Sequence, residues 1–512
     1  MAGSSRVGAR SGRAVMTSSS RDGARSPSRT RMIMASRENP KRHRLHDNVA
    51  KMAMVVVLLL LASLPRTISS ERIHGRAEEG SSHIVHSDYE QPDPFMDPNE
   101  LESLFRVMEA LTMEIEWRRH YPHPCSSTPW PGIHCEQQDD GLSHVTRIDF
   151  GSLPNSTCKR NATMDPSLLQ LKSLRGLFIL NCFVDSKTTI VPGISKLASS
   201  LQMLSLRGNP SLVGEIPSEI GRLSKLEVLS LSQNGLSGQI PKELGDLAKV
   251  EHIDLSYNAL SGAIPGELGA IKSLSILDLN GNLLSGHIPS SIGEASQLQK
   301  MDLSGNRLTG RIPSSLGSLA GLKFLALSDN ELTGELPQSL ANLVGIEYLI
   351  LHGNPMRVEL PDFWSKLTNL SELSLSSSGY FGSIPASLGD LIYLSELSLE
   401  DNLLNGSIPS SIARLSNIYH LNLSNNLLSG PVPFQRDFLY RLGENLDLRG
   451  NVDLCLTVDV PRNVSTKNLS SCSSQGSSLS SSSNSGAANS GLLSRQRSLL
   501  LFLLVLLLAL LD

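Results

Sequence analysis

The stretch LEVLSLSQNGLSGQIP, from Leu226 to Pro241, decides the fold. Leu226, Leu229 and Leu231 fill the apolar places of an LxxLxLxxN pattern that Asn234 closes, and Leu236, Gly238, Ile240 and Pro241 extend it as L-x-G-x-I-P. The pattern returns every 24 residues, its asparagine recurring as Asn258, Asn282, Asn306, Asn330, Asn354, Asn402 and Asn426. About eleven repeats open, at Leu174, Leu201, Leu226, Val250, Leu274, Leu298, Leu322, Ile346, Leu370, Leu394 and Ile418, before a degenerate terminal strand around Leu446 and Leu448. A fixed period of this length marks a stack of identical supersecondary units. No single unit can bury its apolar edge, so stacking must supply one continuous core. With only 4% aromatic residues, that core is expected to need no aromatic filling. The asparagine side chain is placed to bond the backbone of neighbouring turns. Glycine permits a tight turn and proline stops further strand pairing, so the chain turns the same way each time.

This repeat resembles the plant-specific class of leucine-rich repeat found in extracellular receptors and defence proteins, over roughly residues 100 to 472. The fold implied is an α/β solenoid: a right-handed plant-type leucine-rich-repeat superhelix of about eleven 24-residue repeats between disulfide-bonded caps. A narrower likeness lies in the run Ser429-Gly430-Pro431-Val432-Pro433-Phe434, through Tyr440-Arg441-Leu442-Gly443 to Leu446-Asp447-Leu448-Arg449-Gly450-Asn451 and Cys455. With Leu104-Phe105-Arg106-Val107-Met108-Glu109 and the Cys158 to Cys182 arrangement, it is similar to plant receptor-like proteins related to Too Many Mouths and Piriformospora indica-insensitive protein 2. That resemblance implies a cell-surface co-receptor without a kinase domain, modulating peptide-sensing receptor kinases in development or in the response to microbes. Its expected partners are receptor-kinase ectodomains and a secreted cationic or cysteine-rich peptide. The alternative is a wall-associated defence protein or inhibitor of the polygalacturonase-inhibiting type, whose repeats are of the same class.

Six cysteines sit at the two ends of the repeats. Cys125 and Cys135 bracket Trp130-Pro131-Gly132 in a C-x9-C spacing like that of plant N-terminal caps, which implies their pairing. Cys158 with Cys182 is the expected second bridge, and Cys455 with Cys472 would close the C-terminal cap. Spacing alone does not fix connectivity, and zinc is the rival reading. It is disfavoured because no CxxC pair occurs and the glycosylation sequons point to an oxidising compartment.

Before the repeats, thirteen basic and three acidic residues up to Arg66 surround an apolar run from Met52 to Leu64. The run is too short for a bilayer and suits a signal peptide cleaved near Ser69 or Ser70, with a transit peptide as the rival. Met32, Met34 and Met52 are alternative starts. At the other end a Ser-rich stretch, small residues from Asn484 to Gly491 and apolar residues from Leu499 to Leu511 form the pattern of glycosylphosphatidylinositol attachment, expected at Asn484, Ser485 or Gly486. A short tail anchor is the other reading. The expected organisation is a basic leader and signal peptide (1–70), a linker (71–96), an N-terminal helix and cap (97–173), the repeats (174–441), a C-terminal cap (442–472), a Ser-rich spacer (473–498) and a removed tail (499–512). Sequons at Asn155, Asn161, Asn369, Asn405, Asn422, Asn463 and Asn468 agree with secretion, and a glycan on Asn422 would restrict binding nearby.

A helix is expected from Asp97 to Trp117, with Asp97 as cap, Pro98 in the first turn and Glu100 at a capping-box spacing. Leu101, Leu104, Phe105, Met108, Leu111 and Ile115 form one apolar stripe that covers the first repeat.

In such a solenoid the variable places of xLxLxx line the concave face, stacked about 4.8 Å apart. They carry Asp254, Asp278 and Asp302 on successive repeats, then Asp329, Glu372, Glu396, Glu400 and Asp401, against only Arg207 and Lys300. The aspartates also have a structural reading; the glutamates of repeats nine and ten are harder to dismiss. Residues 71 to 485 hold 30 basic and 45 acidic side chains, a balance of −15 that the whole-chain value of −4 conceals. Such a surface steers a cationic partner and disfavours nucleic acid. Phe324, Tyr348 and Ile350 make an apolar patch beside the acids, with the composition of a binding hot spot, or of packing between adjacent strands. Val358 replaces a turn glycine and Ser378 a ladder asparagine, a local irregularity next to the patch. His252, His352 and His420 share this face on distant repeats, too far apart for one metal, and read as solvated surface residues. No phosphate-cradling loop, kinase signature or GxSxG elbow occurs, so no enzyme, cofactor or metal is expected.

Overall fold

The computed structural model describes residues 96–112, 117–125, 130–151, 158–457 and 469–472. The leader, the signal and attachment segments with Asn484, Ser485 and Gly486, and the sequons at Asn155, Asn463 and Asn468 lie outside the described residues.

The LxLxx segments form one 14-stranded sheet that opens with an antiparallel pair, Ile133–Gln137 with Ser143–Phe150, and continues in parallel, one strand per repeat. The 24-residue period sets the register: Leu277 lies beside Ile253 on one side and Met301 on the other. These central residues point inward and are fully buried, as are the repeat-opening leucines Leu274, Leu298 and Leu322. Burying one such side chain contributes about 2 kcal/mol. The two flanking positions of each strand face the other way.

The asparagines do what their spacing implies. Asn306 donates to Leu303 O in its own repeat and Leu279 O in the preceding one, and accepts from Leu284 N, each at 3.0 Å. The same triad of bonds recurs at Asn282, Asn330 and Asn426. Two further members, Asn209 and Asn451, extend the ladder into the second repeat and the C-terminal cap.

The L-x-G-x-I-P segments do more than turn. They pair into a second set of parallel strands, six from Val213–Gly214 to Glu331–Leu332 and five from Phe381–Ser383 to Ser470–Ser471. Gly238 in this set has φ +82°, where a Cβ would meet the Glu215 side chain at 2.8 Å. In the repeats before the last, a short 3-10 turn follows the proline, such as Lys242–Asp246 or Gly266–Ala270, so the solenoid's helical side is 3-10 rather than α. Gly269 lets these turns stack: a Cβ there would lie 2.0 Å from Ser291 O of the next repeat.

The second set of strands breaks at the eighth repeat, where Val358 stands in the glycine slot and only the isolated bridge Glu359 to Phe381 remains among the described residues. Here the core departs from the expected all-aliphatic filling. Phe363 and Trp364 pack 5.1 Å apart, and Trp364 and Tyr380 are fully buried. Among the described residues neither the Trp364 ring N–H nor the Tyr380 hydroxyl has a partner. Ser378, in the ladder slot, accepts from Asn354 N of the preceding repeat at 3.3 Å but donates to Ser376 O of its own repeat, where a ladder asparagine also donates to a carbonyl of the preceding one.

At the N-terminal end, helix α1 (Pro98–Leu111) is shorter than expected, ending at Thr112 in an extended conformation. Asp97 caps it through Asn99 N and Glu100 N. Leu104, Phe105, Met108 and Leu111 are buried as the stripe requires; Ile115 is outside the described residues. Glu100 does not complete a capping box: its carboxylate turns inward, accepting from Val145 N at 2.9 Å and meeting His144 Nδ1 at 2.7 Å, so it ties α1 to the first strands. Bridges join Cys125 to Cys135, Cys158 to Cys182 and Cys455 to Cys472, the expected pairing throughout. A helix at Arg436–Leu442 caps the last repeat, its Arg441 guanidinium donating to Leu415 O and Ile418 O. Among the described residues no helix is long and apolar enough to cross a membrane.

Candidate ligand-binding face

On the solvent side of the long sheet the register aligns two columns. One runs His252, Ile276, Lys300, Phe324, Tyr348, Glu372, Glu396, His420; the other Asp254, Asp278, Asp302, Ala326, Ile350, Ser374, Ser398, Asn422. All ten residues expected to bind ligand lie in these columns or just past the strand ends, where Glu400 and Asp401 follow Glu396–Ser398. Asp401, like Asp329 and Asn425, adopts positive φ immediately before a ladder position.

The aspartate column is tightly occupied by its own surroundings. Asp254 Oδ1 accepts from Ser256 N at 3.1 Å and Ser256 Oγ at 2.6 Å. Asp302 accepts from Ser304 N at 3.0 Å and Asn280 Nδ2 at 3.3 Å, and is 1% exposed. Lys300 crosses to Asp278 at 2.8 Å, with side-chain exposures of only 10% and 15%. Burial pushes Asp278 up to about 6, against the pull of Lys300 and with the push of Asp302 and Asp254. Burial works against the Lys300 charge, yet Asp278 holds it above its ordinary value. Lys300 also sits 5.5 Å from the Phe324 ring, which lies 5.8 Å from that of Tyr348, so Phe324, Tyr348 and Ile350 form a half-buried run continuous with the Lys300 cluster.

The C-terminal half of the face differs. Glu372 and Glu396 are half-buried neighbours in register, and Glu396 Oε1 lies 3.4 Å from His420 Nδ1. His352 meets Ser374 Oγ at 3.0 Å and Asp329 at 3.7 Å. Asp401 is exposed and accepts from Asn425 Nδ2 at 2.7 Å. Glu400 Oε2 is shielded from solvent with no partner among the described residues; burial, then Asp401, pushes this carboxyl above its ordinary range while His420 and His352 oppose. His252 is pulled down by burial. The three histidines are therefore engaged with their surroundings, and among the described residues no cluster could hold a metal ion.

Of the sequons, Asn161, Asn369 and Asn405 are exposed. Asn422 is 9% exposed, its Oδ1 accepting from Ser424 N and, at 2.7 Å, from Ser424 Oγ, the hydroxyl of its own sequon.

Strand register, asparagine ladder, second strand set and capped ends together define a plant-type leucine-rich-repeat solenoid with disulfide-bonded caps. The Leucine rich repeat family model matches residues 199–260, 224–284 and 296–356, and a second Leucine Rich Repeat model matches 393–415. The chain carries leucine-rich repeats and is similar in part to plant receptor-like proteins. It is 48% identical to Receptor like protein 29 of Arabidopsis thaliana over 27% of this chain and 30% of that protein. It is 34% identical to Piriformospora indica-insensitive protein 2 (28% and 34%) and 38% identical to Protein TOO MANY MOUTHS (26% and 27%), both from Arabidopsis thaliana. The matched part spans about a third of the length of these relatives. Among solved structures, PEPR1-AtPEP1 aligns with a TM-score of 0.60 and 29% identity over 71% of this chain and 49% of that one.

Proposed function

We propose that this protein is a cell-surface receptor-like protein that binds a cationic or cysteine-rich peptide on the open face of repeats seven to ten and acts with receptor-kinase ectodomains as a co-receptor. The observation that carries the reading is Glu400: its Oε2, out of solvent and with no partner among the described residues, costs free energy that a ligand ammonium or guanidinium would recover. Glu396 and Asp401 lie on the same repeat, Glu372 one repeat before, and the Phe324 and Tyr348 rings supply apolar contact alongside. The relation to receptor-like proteins supports the same reading.

A pull-down with receptor-kinase ectodomains, with and without cationic cysteine-rich peptides, tests it. Peptide-dependent capture that weakens with salt is expected, and charge reversal at Glu396, Glu400 and Asp401 should abolish it. Capture indifferent to all three reversals would sink the proposal. So would inhibition of a polygalacturonase in place of peptide-dependent capture.

A further inference from the structure

Outside the acidic face, one depression has the opposite character. It lies where the first three repeats enter the long sheet, a hollow of about 370 Å³ with no carboxylate among the described residues that line it. Lys172 and Arg175 line it from the start of the first repeat and Lys225 from the start of the third, with hydroxyls from Ser173, Ser199 and Ser200 and two glutamine amides between them. The backbone beneath is fixed by bonds between repeats: Gln202 N donates to Arg175 O at 2.8 Å and Glu227 N to Gln202 O at 2.7 Å.

The cations are not equivalent. The Arg175 guanidinium is drawn to Glu136 at 2.9 Å, so its planar fork, the group best shaped for a carboxylate, is already engaged by one. Lys172 Nζ donates to Leu169 O at 2.8 Å, which uses one of three donors and holds the ammonium in place. Lys225 is exposed at the rim. Two point-charge ammonium groups and rotatable hydroxyls, approaching from different directions, match the oxygens of a tetrahedral anion better than those of a planar one.

The geometry points to an oxyanion site on this edge that takes a sulfate or phosphate group, as the free ion or as a monoester carried by a partner. It is separate from the acidic face and selects ligands of opposite charge.

Calorimetric titration of the full chain with inorganic sulfate, at constant ionic strength in chloride, tests it. Saturable binding of roughly millimolar affinity is expected, since a few exposed charged hydrogen bonds are the whole of the recognition. The Lys172→Gln/Lys225→Gln double variant should bind at least about tenfold more weakly, while Lys249→Gln, outside the lining, should bind like the parent. Phenyl sulfate binding as tightly as sulfate assigns the site to an esterified group; sulfate bound with phenyl sulfate excluded assigns it to the free ion. No saturable binding of either, equal affinity for acetate, or unchanged affinity in the double variant overturns the assignment. A matching circular-dichroism melt for each variant keeps a folding defect from being read as lost binding.

Discussion

Repeats four to six and repeats nine and ten carry acids on the same face of one sheet, yet use them differently. In the first group the acids are aspartates, short enough that their oxygens return to the backbone two residues on, as Asp254 does to Ser256 and Asp302 to Ser304. Lys300 lies among them and neutralises part of the charge. In the second group the acids at the strand positions are glutamates, whose longer stems carry the charge away from their own backbone, and Glu400 keeps one oxygen without a partner among the described residues. Sign of charge therefore does not identify a ligand surface. What does is whether the oxygens are already engaged within the fold, and this can be broken experimentally.

The largest effect is expected at Lys300. Lys300→Met leaves Asp278 and Asp302 buried without their cation, and should cost about 3–5 kcal/mol in urea unfolding at neutral pH. Glu396→Gln, in the other group, should stay within about 0.5 kcal/mol. Equal costs would mean that both groups are structural. Next comes Asp302→Ala, which strands Ser304 N and the Asn280 amide and should cost about 2 kcal/mol. A loss under about 0.5 kcal/mol would show that the aspartate column is free to serve a ligand.

How much of this is legible in the sequence follows from what the 24-residue pattern encodes. Leu229, Leu231 and Asn234 declare their places because each repeat poses the same packing problem. Asn209 and Asn451 are harder to see because their spacing to the next or previous ladder member is 25 residues rather than 24, in the longer second repeat and the cap. The position of Lys300 in its strand is readable, but its partner is not: that depends on the cross-strand register, which brings Asp278 of the preceding repeat within 2.8 Å. The substitution of Val358 marks the break in the second strand set; that Phe363, Trp364 and Tyr380 fill the core there is a matter of side-chain volume, which periodicity does not encode. Glu400 and Asp254 look alike as acids in a string, and only burial and partners separate them.

A pH series, read against an Asp278→Asn control, isolates the aspartate column from the other shifted groups of the fold. Asp278 is pushed up to about 6 in the folded chain, from about 4 when unfolded. Between those values the folded state binds more protons than the unfolded one, so stability should fall as pH rises from about 4 to about 6. The change should be on the order of 1–2 kcal/mol, and Asp278→Asn should flatten it. A parent whose stability rises steadily through that window, with a slope the variant shares, would show that Lys300 keeps Asp278 ionised throughout.

The smallest expected effect separates the two regions most directly. Glu400→Gln removes a charge that burial and Asp401 disfavour, and replaces an unpartnered oxygen with an amide of the same size. At neutral pH its unfolding free energy should change by less than about 0.5 kcal/mol, or rise slightly, because the folded state no longer shelters an uncompensated carboxylate. Its affinity for a cationic peptide should nevertheless fall, since the vacant acceptor is what the ligand would complete. If Glu400→Gln instead costs more than about 1 kcal/mol of stability, Glu400 serves the fold in the way Asp302 does, and the distinction between a structural acid and a waiting one fails at the residue on which it most depends.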